Sequence, residues 1–127
     1  MRLRVVVADD HPGFLDKLSL ALGLEFDVVA TAVDGKSALE SVRRFQPDVV
    51  VLDLKMPGLD GLDVTKELAK HPLSPAVVIC SVETNPEIIE AAQHAGALGY
   101  VFKKRIAKEL IVAVKSVARG QSFVSAA

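Results

Sequence analysis

Cysteine is almost absent from this chain, which contains only Cys80 among its 127 residues. A single cysteine cannot form an internal disulfide, and Cys80 ends the apolar run 76–80, where a small buried hydrophobic residue is expected. The chain also has no tryptophan. Its longest apolar runs are only as long as a strand, so we predict no transmembrane helix. The formal net charge of −1 favours neither nucleic acid nor an anionic membrane as a partner.

Length and composition indicate one soluble domain. Half of the 127 residues are hydrophobic and about a quarter are charged, which is an ordinary globular composition with room for one core. Residues 1–4 lead directly into a predicted strand rather than a signal peptide, so we expect a cytoplasmic protein. We assign residues 1–121 to the domain and residues 122–127 to a C-terminal tail or the start of a linker.

Short apolar runs alternate along the chain with segments of helical periodicity. The predicted strands cover residues 3–8, 26–32, 49–52, 76–80 and 99–102. In the intervening segments apolar side chains recur three or four positions apart, and proline and glycine mark the helix ends. The predicted helices lie near residues 12–22, 35–45, 62–69, 86–95 and 106–118.

This alternation predicts a parallel sheet covered on both faces, because parallel strands need crossover connections and these are usually helical and right-handed. Two strand orders are common for such sheets, the dinucleotide-binding order and the flavodoxin-like order. Five strands, and the lack of a Gly-x-Gly-x-x-Gly motif after the first, favour the second. We therefore predict a flavodoxin-like (βα)5 three-layer α/β sandwich with a five-stranded parallel sheet in the order 2-1-3-4-5.

Polar side chains follow four of the five predicted strands. Asp9 and Asp10 follow the first strand and Asp53 the third, while Ser81 follows the fourth and Lys103 the fifth. Ligands of open parallel sheets bind beyond the carboxyl ends of the strands, at the point where the chain order reverses. In the order 2-1-3-4-5 that point lies between strands one and three, so we expect these five side chains at one rim.

The chemistry of these groups suits phosphoryl transfer. Three crowded carboxylates repel one another and raise the pKa of at least one of them unless a cation is present, and carboxylate oxygens are ligands that Mg²⁺ prefers. An aspartate can attack a phosphoryl donor, while an ammonium and a hydroxyl position the transferred group. Taken singly, each residue has an ordinary alternative: a helix cap for Asp9 or Asp10, a turn hydroxyl for Ser81 and a solvated charge for Lys103.

The whole set resembles the receiver domain of two-component response regulators, over essentially the entire chain. The motifs stand in the order and spacing of that family. They are Asp9-Asp10, Asp53-x-x-Met56-Pro57-Gly58-x-Asp60-Gly61, Ser81 and Gly99-Tyr100-x-x-Lys103.

The resemblance implies that Asp53 is the phosphoacceptor, supplied by a sensor histidine kinase or a phosphotransfer protein. It also implies that Asp10, Asp53 and the backbone carbonyl of Lys55 bind Mg²⁺ or Mn²⁺, with Asp9 acting mainly through metal-bound water. Such a domain is a signalling switch rather than an enzyme, limited to self-phosphorylation and slow autodephosphorylation.

By the same resemblance, Ser81 and Lys103 would bind phosphoryl oxygens. Tyr100 matches an aromatic switch position, which turns inward when the hydroxyl residue moves toward the phosphate. The surface of the fourth helix, fifth strand and fifth helix would then change, and phosphorylation would favour a homodimer. The domain itself would bind neither nucleic acid nor a membrane.

The segment 118–125 resembles the end of receivers that continue into a helix-turn-helix output domain, which would imply transcription regulation. A single-domain receiver and a receiver followed by an output module both stay open. Two residues depart from the family pattern. Val82 follows Ser81 where a small residue is general, and Lys104 follows Lys103 where proline is common, which leaves the isomer of that peptide bond open.

Two other classes of function fit the sequence less well. An aspartate-based phosphohydrolase generally carries a second aspartate two residues after its nucleophile, and Lys55 occupies that position. A ligand-binding or phosphorylation-independent interaction module is the third class. The segment Asp9-x-His11-x-x-Phe14 partly resembles the cobalamin-binding motif Asp-x-His-x-x-Gly. Its glycine, Gly13, stands one place before the position that the motif requires.

Lys55 and Glu83 lie two residues beyond Asp53 and Ser81, at loop positions that flank the site in this family. Their opposite charges would allow them to pair above the acceptor. We expect such a pair to hinder attack by water on a phosphorylated Asp53.

Overall fold

A parallel β-sheet forms the centre of the computed structural model, which describes residues 2–126. The strands are β1 (Arg4–Ala8), β2 (Asp27–Ala32), β3 (Val49–Asp53), β4 (Ala76–Ser81), β5 (Gly99–Phe102) and β6 (Phe123–Val124). The helices are α1 (Pro12–Gly23), α2 (Gly35–Phe45), α3 (Gly61–Ala69), α4 (Pro86–Ala95) and α5 (Ile106–Ala118), with a 3-10 turn at Lys103–Arg105. Elements from β1 to α5 lie close to the segments that periodicity predicts.

The strands pair in the order β2-β1-β3-β4-β5-β6, and every pair is parallel. The flavodoxin-like order 2-1-3-4-5 is therefore confirmed for the first five strands. The predicted number of five strands is wrong, because β6 adds a sixth beside β5. A strand of two residues is too short to show a two-residue alternation, so periodicity could not reveal it.

The side chains of the central strands alternate between two apolar layers. Val5 and Val7 of β1 pack on the face covered by α1 and α5, whereas Val6 and Ala8 pack on the face covered by α2, α3 and α4. All of β3 is buried, as expected for a strand covered on both sides. The α/β sandwich of three layers follows directly from this burial.

The loop after β3 returns closely to the strand, which fixes the end of β3. Asp60 and Asp63 form a reciprocal capping box at the start of α3, with bonds of 2.9 and 3.1 Å to the backbone N–H groups of each other. The Gly61 N–H donates to the carbonyl of Leu54 at 2.8 Å. A Cβ atom on Gly61 would lie 2.4 Å from the carbonyl oxygen of Asp53, so only glycine allows this approach.

The segment after α5 pairs with the edge of β5 that faces away from β4. The Phe123 N–H donates to Leu98 O at 3.0 Å, and the Ser125 N–H donates to Tyr100 O at 2.9 Å. The buried Ser125 hydroxyl accepts the Phe102 N–H at 3.1 Å and donates to the Glu109 carboxylate on α5. The division into residues 1–121 and 122–127 stays a proposal, with residues 123–125 contributing to the sheet.

We expect Ser125→Ala to lower the free energy of unfolding by about 1 to 2 kcal/mol, because the buried Phe102 N–H loses its acceptor. Urea unfolding followed by far-UV circular dichroism measures this loss. Ser122→Ala is the matched control, since Ser122 is exposed and lies in the same segment. Equal stability of the two variants would contradict the assigned role of Ser125.

Within residues 2–126, no helix combines the length and apolar character needed to cross a bilayer. The longest helix, α5, has 13 residues. The cytoplasmic location stays an expectation.

Candidate functional site

Three aspartates meet at the carboxyl ends of β1 and β3. Asp9 is fully buried, Asp53 is buried as the last residue of β3, and Asp10 is exposed. Each offers a carboxylate oxygen, and these oxygens all lie within 4.8 Å of one another. The structure thus brings together the acidic residues at the position where the sheet order reverses.

The ammonium of Lys103 lies among these carboxylates. Its Nζ atom is 3.1 Å from Asp9 Oδ2 and 3.3 Å from Asp53 Oδ2, and its side chain is 20% exposed. Burial by itself would lower the pKa of Lys103, but the charge of Asp53 and the hydrogen bond and charge of Asp9 outweigh it and raise the pKa. Lys103 is therefore a firmly protonated cation at this rim.

Burial raises the pKa of Asp53, and the negative charge of Asp9 raises it further. The charge of Lys103, its hydrogen bond and a hydrogen bond from the Lys55 backbone act in the opposite direction but do not cancel the shift. The rim holds three carboxylates and one ammonium, which pairs with two of them, so negative charge remains in excess. This donor set of hard oxygens with excess negative charge fits a divalent cation such as Mg²⁺.

Ser81 and Tyr100 are linked through the backbone of Glu83. Ser81, the last residue of β4, is buried, and its Oγ accepts the Glu83 N–H at 3.0 Å. Tyr100 on β5 is also buried, and its hydroxyl donates to the Glu83 carbonyl at 2.9 Å. Burial raises the pKa of Tyr100, which keeps its hydroxyl protonated as a donor. One loop residue therefore connects the hydroxyl at the rim with the aromatic ring of β5.

The two departures from the family pattern both line a cleft beside Lys103. Val82 is 72% exposed, and it lines, with Thr84, Phe102, Lys103 and Lys104, a cleft of about 380 Å³. No cis peptide bond occurs among residues 2–126, so the bond between Lys103 and Lys104 is trans.

The expected charge pair is present above the rim. Lys55 Nζ lies 3.6 Å from Glu83 Oε1, with side chains 78% and 33% exposed.

Cys80 is buried as predicted. Burial raises its pKa to about 12, so its thiol is protonated at neutral pH.

Sequence reasoning missed one contact of Lys103. The ring of Phe14, in the first turn of α1, has its centroid 4.5 Å from Lys103 Nζ. The pattern of α1 presents Phe14 only as part of an apolar face. A separation of 89 positions hides the contact, since no local periodicity relates the two residues.

Comparisons with known proteins identify the family of the chain. The sequence model of the family described as response regulator receiver domain matches residues 5–115. The probable transcriptional regulatory protein NarL of Mycobacterium tuberculosis is 37% identical over 126 residues, which cover 98% of this chain and 58% of that protein. The transcriptional regulatory protein DegU of Brevibacillus brevis is 34% identical over 125 residues, which cover 97% of this chain and 53% of that protein.

Two solved structures extend the comparison to the fold. The signal receiver domain of the putative response regulator NarL from Mycobacterium tuberculosis has a TM-score of 0.90 and 38% identity, covering 94% of this chain and 98% of that one. The isolated receiver domain of RcsB from Salmonella enterica, determined with the phosphomimetic BeF3⁻, has a TM-score of 0.88 and 25% identity, covering 98% and 94%. The chain spans a little over half the length of the curated relatives that it matches. It belongs to the family of response regulator receiver domains.

Proposed function

We propose that this receiver domain accepts a phosphoryl group on Asp53 from a sensor histidine kinase or a phosphotransfer protein. The observation that carries the proposal is the position of the Asp53 carboxylate, buried at the rim and 3.3 Å from the Lys103 ammonium. A nucleophile in phosphoryl transfer needs a neighbouring cation and a dry, fixed geometry more than it needs an added base. Asp53 has both.

In the transfer, a carboxylate oxygen of Asp53 attacks the phosphorus of the donor. An oxygen–phosphorus bond forms as the bond from phosphorus to the donor oxygen or nitrogen breaks, and the donor leaves with that electron pair. In this proposal Lys103 pairs with one phosphoryl oxygen, and the Ser81 hydroxyl donates to another. Asp53 then carries the group as a mixed anhydride.

The residues that would hold a divalent cation are Asp10, Asp53 and the backbone carbonyl of Lys55, with Asp9 in support. Mg²⁺ or Mn²⁺, when bound, supplies positive charge that offsets both the carboxylates and the incoming phosphoryl oxygens. The excess of three carboxylates over one ammonium supports this assignment.

The link through Glu83 gives the phosphorylated state a route to the surface. If the Ser81 hydroxyl turns toward a phosphoryl oxygen, the Glu83 N–H loses its acceptor, and the carbonyl that holds Tyr100 belongs to the same residue. Repacking of this loop and of Tyr100 would shift the surface of α4, β5 and α5 between two populations. A homodimer on that surface is one expected consequence.

The output that this domain controls is inferred from its relatives. A crystal structure of a DNA-binding response regulator of the LuxR family from Staphylococcus aureus is 28% identical, with a TM-score of 0.86. We infer that this domain controls transcription where a DNA-binding domain follows it in the full-length protein. The domain itself contributes the switch and not the DNA contact.

Incubation with Mg²⁺ and acetyl phosphate tests the phosphoacceptor role. Intact-mass spectrometry should show one added phosphoryl group, which is lost on treatment with hydroxylamine, as expected of an acyl phosphate. Beryllofluoride should shift the amide resonances of Ser81 and Tyr100. A wild-type protein that gains no phosphate and does not respond to beryllofluoride would contradict the proposal.

The Lys55–Glu83 pair is expected to prolong the life of the phosphorylated state. Because the pair is largely exposed, Lys55→Ala and Glu83→Ala should each speed loss of phosphate by only about two- to fivefold. The decay is measured after removal of the phosphoryl donor. Lys70→Ala is the matched control, since it breaks an exposed ion pair with Glu67 on α3. An unchanged decay in both site variants would reject the idea.

A further inference from the structure

Lys103 has a third neighbour besides Asp9 and Asp53. The Phe14 ring centroid lies 4.5 Å from Lys103 Nζ, while the two carboxylate oxygens lie at 3.1 and 3.3 Å. The ammonium is therefore held by two charged acceptors and by the face of one aromatic ring. A ring face carries negative electrostatic potential and attracts a cation within about 6 Å of its centroid.

The backbone of Phe14 is held by the loop that also positions Asp9. The Phe14 N–H donates to His11 Nδ1 at 3.2 Å, and the His11 N–H donates to Asp9 Oδ1 at 2.9 Å. The Phe14 side chain is half-buried against the apolar layer of α1 and α5. Asp9 and Phe14 thus belong to one hydrogen-bonded turn, and both contact the Lys103 ammonium.

An aromatic neighbour suits an ammonium that must change partners. A third carboxylate would compete with phosphoryl oxygens for the N–H donors of Lys103, whereas a ring face attracts the charge without being a strong acceptor. The lysine side chain is long and flexible, so without a neighbour on this side it would sample more positions away from Asp53. The ring limits that freedom and leaves the donors available.

We propose that Phe14 is a positioning residue for phosphoryl transfer, holding the Lys103 ammonium against the acceptor side of the rim through its ring face. The proposal rests on the proposed role of Asp53 for its effect on the reaction. The placement of Lys103 against the ring can be measured without any reaction.

The kinetic test compares Phe14→Leu with Phe14→Tyr in phosphorylation by acetyl phosphate at saturating Mg²⁺. Leucine keeps an apolar side chain but removes the ring, so the maximal rate should fall about fivefold, with a smaller change in the concentration of donor needed for half the maximal rate. Tyrosine keeps the ring face and should remain within about twofold of wild type. Phe45→Leu is the matched control, because Phe45 is also half-buried and faces the Arg44 guanidinium at 5.3 Å, far from the rim.

A fluorinated series separates the charge of the ring from its shape. Mono-, di- and trifluorinated phenylalanines at position 14 weaken the ring face with little change in packing. The rate should fall stepwise along this series, and all members should unfold at similar urea concentrations. A Phe14→Leu protein that fails to fold leaves this series as the deciding measurement, and a flat series would overturn the proposal.

Ring-current shifts report the placement itself. The Cε protons of Lys103 should resonate upfield in wild type and in Phe14→Tyr, and should return to ordinary positions in Phe14→Leu. Unshifted protons in wild type would overturn the proposal even if the protein is phosphorylated. Upfield protons in a wild type that accepts no phosphate would instead reject the role of Asp53 while retaining the contact between Phe14 and Lys103.

Discussion

Asp53→Asn is expected to abolish phosphorylation by acetyl phosphate, with a fall in rate on the order of a thousandfold or more. An amide oxygen carries no charge and cannot form a stable acyl phosphate. We expect neither Asp9 nor Asp10 to replace it, because Asp9 is completely enclosed and Lys103 pairs with Asp9 and Asp53 rather than with Asp10. Intact-mass spectrometry after incubation with Mg²⁺ and donor measures the loss.

The same change should stabilise the fold when divalent cations are removed. A carboxyl group with a raised pKa binds its proton more tightly in the folded chain, so its ionisation at neutral pH costs free energy of folding. This is the case for Asp53, for which burial and then the charge of Asp9 raise the pKa. Asparagine has nearly the same shape and carries no charge, so the urea midpoint in chelator should rise.

Asp16→Asn is the matched control, since Asp16 is an exposed aspartate on α1. It should be phosphorylated at the wild-type rate, with an unchanged urea midpoint. Full phosphorylation of Asp53→Asn would place the acceptor elsewhere. An Asp53→Asn protein less stable than wild type in chelator would contradict the charge balance assigned to the rim.

The sequence predicts the parts of this molecule in which the physics is local. Four apolar residues from Val49 to Leu52, followed directly by Asp53, indicate a strand that is buried on both faces and ends at a polar rim, as β3 does. The meeting of Asp9 with Asp53 then follows from parallel pairing and strand order. It requires no knowledge of side-chain packing.

The features that the sequence does not predict arise from packing between distant segments. Nothing near Ser125 indicates that its hydroxyl accepts the Phe102 N–H, because the partner lies 23 positions away on β5. The contact of Phe14 with Lys103 joins the first turn of α1 to the turn after β5, and the two residues are 89 positions apart. Such contacts are decided by the assembled fold and have no periodic signal.

Lys103→Met is expected to lower the free energy of unfolding by about 3 kcal/mol in chelator, because it leaves the buried Asp9 carboxylate without a cation. Methionine fills a similar volume, so the loss reports charge rather than packing. The chain has no tryptophan, so urea unfolding is followed by far-UV circular dichroism. Lys104→Met, at the neighbouring exposed position, is the matched control and should be neutral. Wild-type stability of Lys103→Met would contradict the ion pairs.

A second substitution shows how much of the lost stability comes from the pairing of Lys103 with Asp53. In the Asp53→Asn background one of the two carboxylates that face Lys103 is already neutral, so Lys103→Met should cost less there than in wild type. The difference between the two costs is the coupling free energy of Lys103 with Asp53. Added Mg²⁺ should restore part of the stability of Lys103→Met, since a divalent cation on the same oxygens would replace the missing positive charge. Equal costs in the two backgrounds would mean that Lys103 stabilises the rim without coupling to the charge of Asp53.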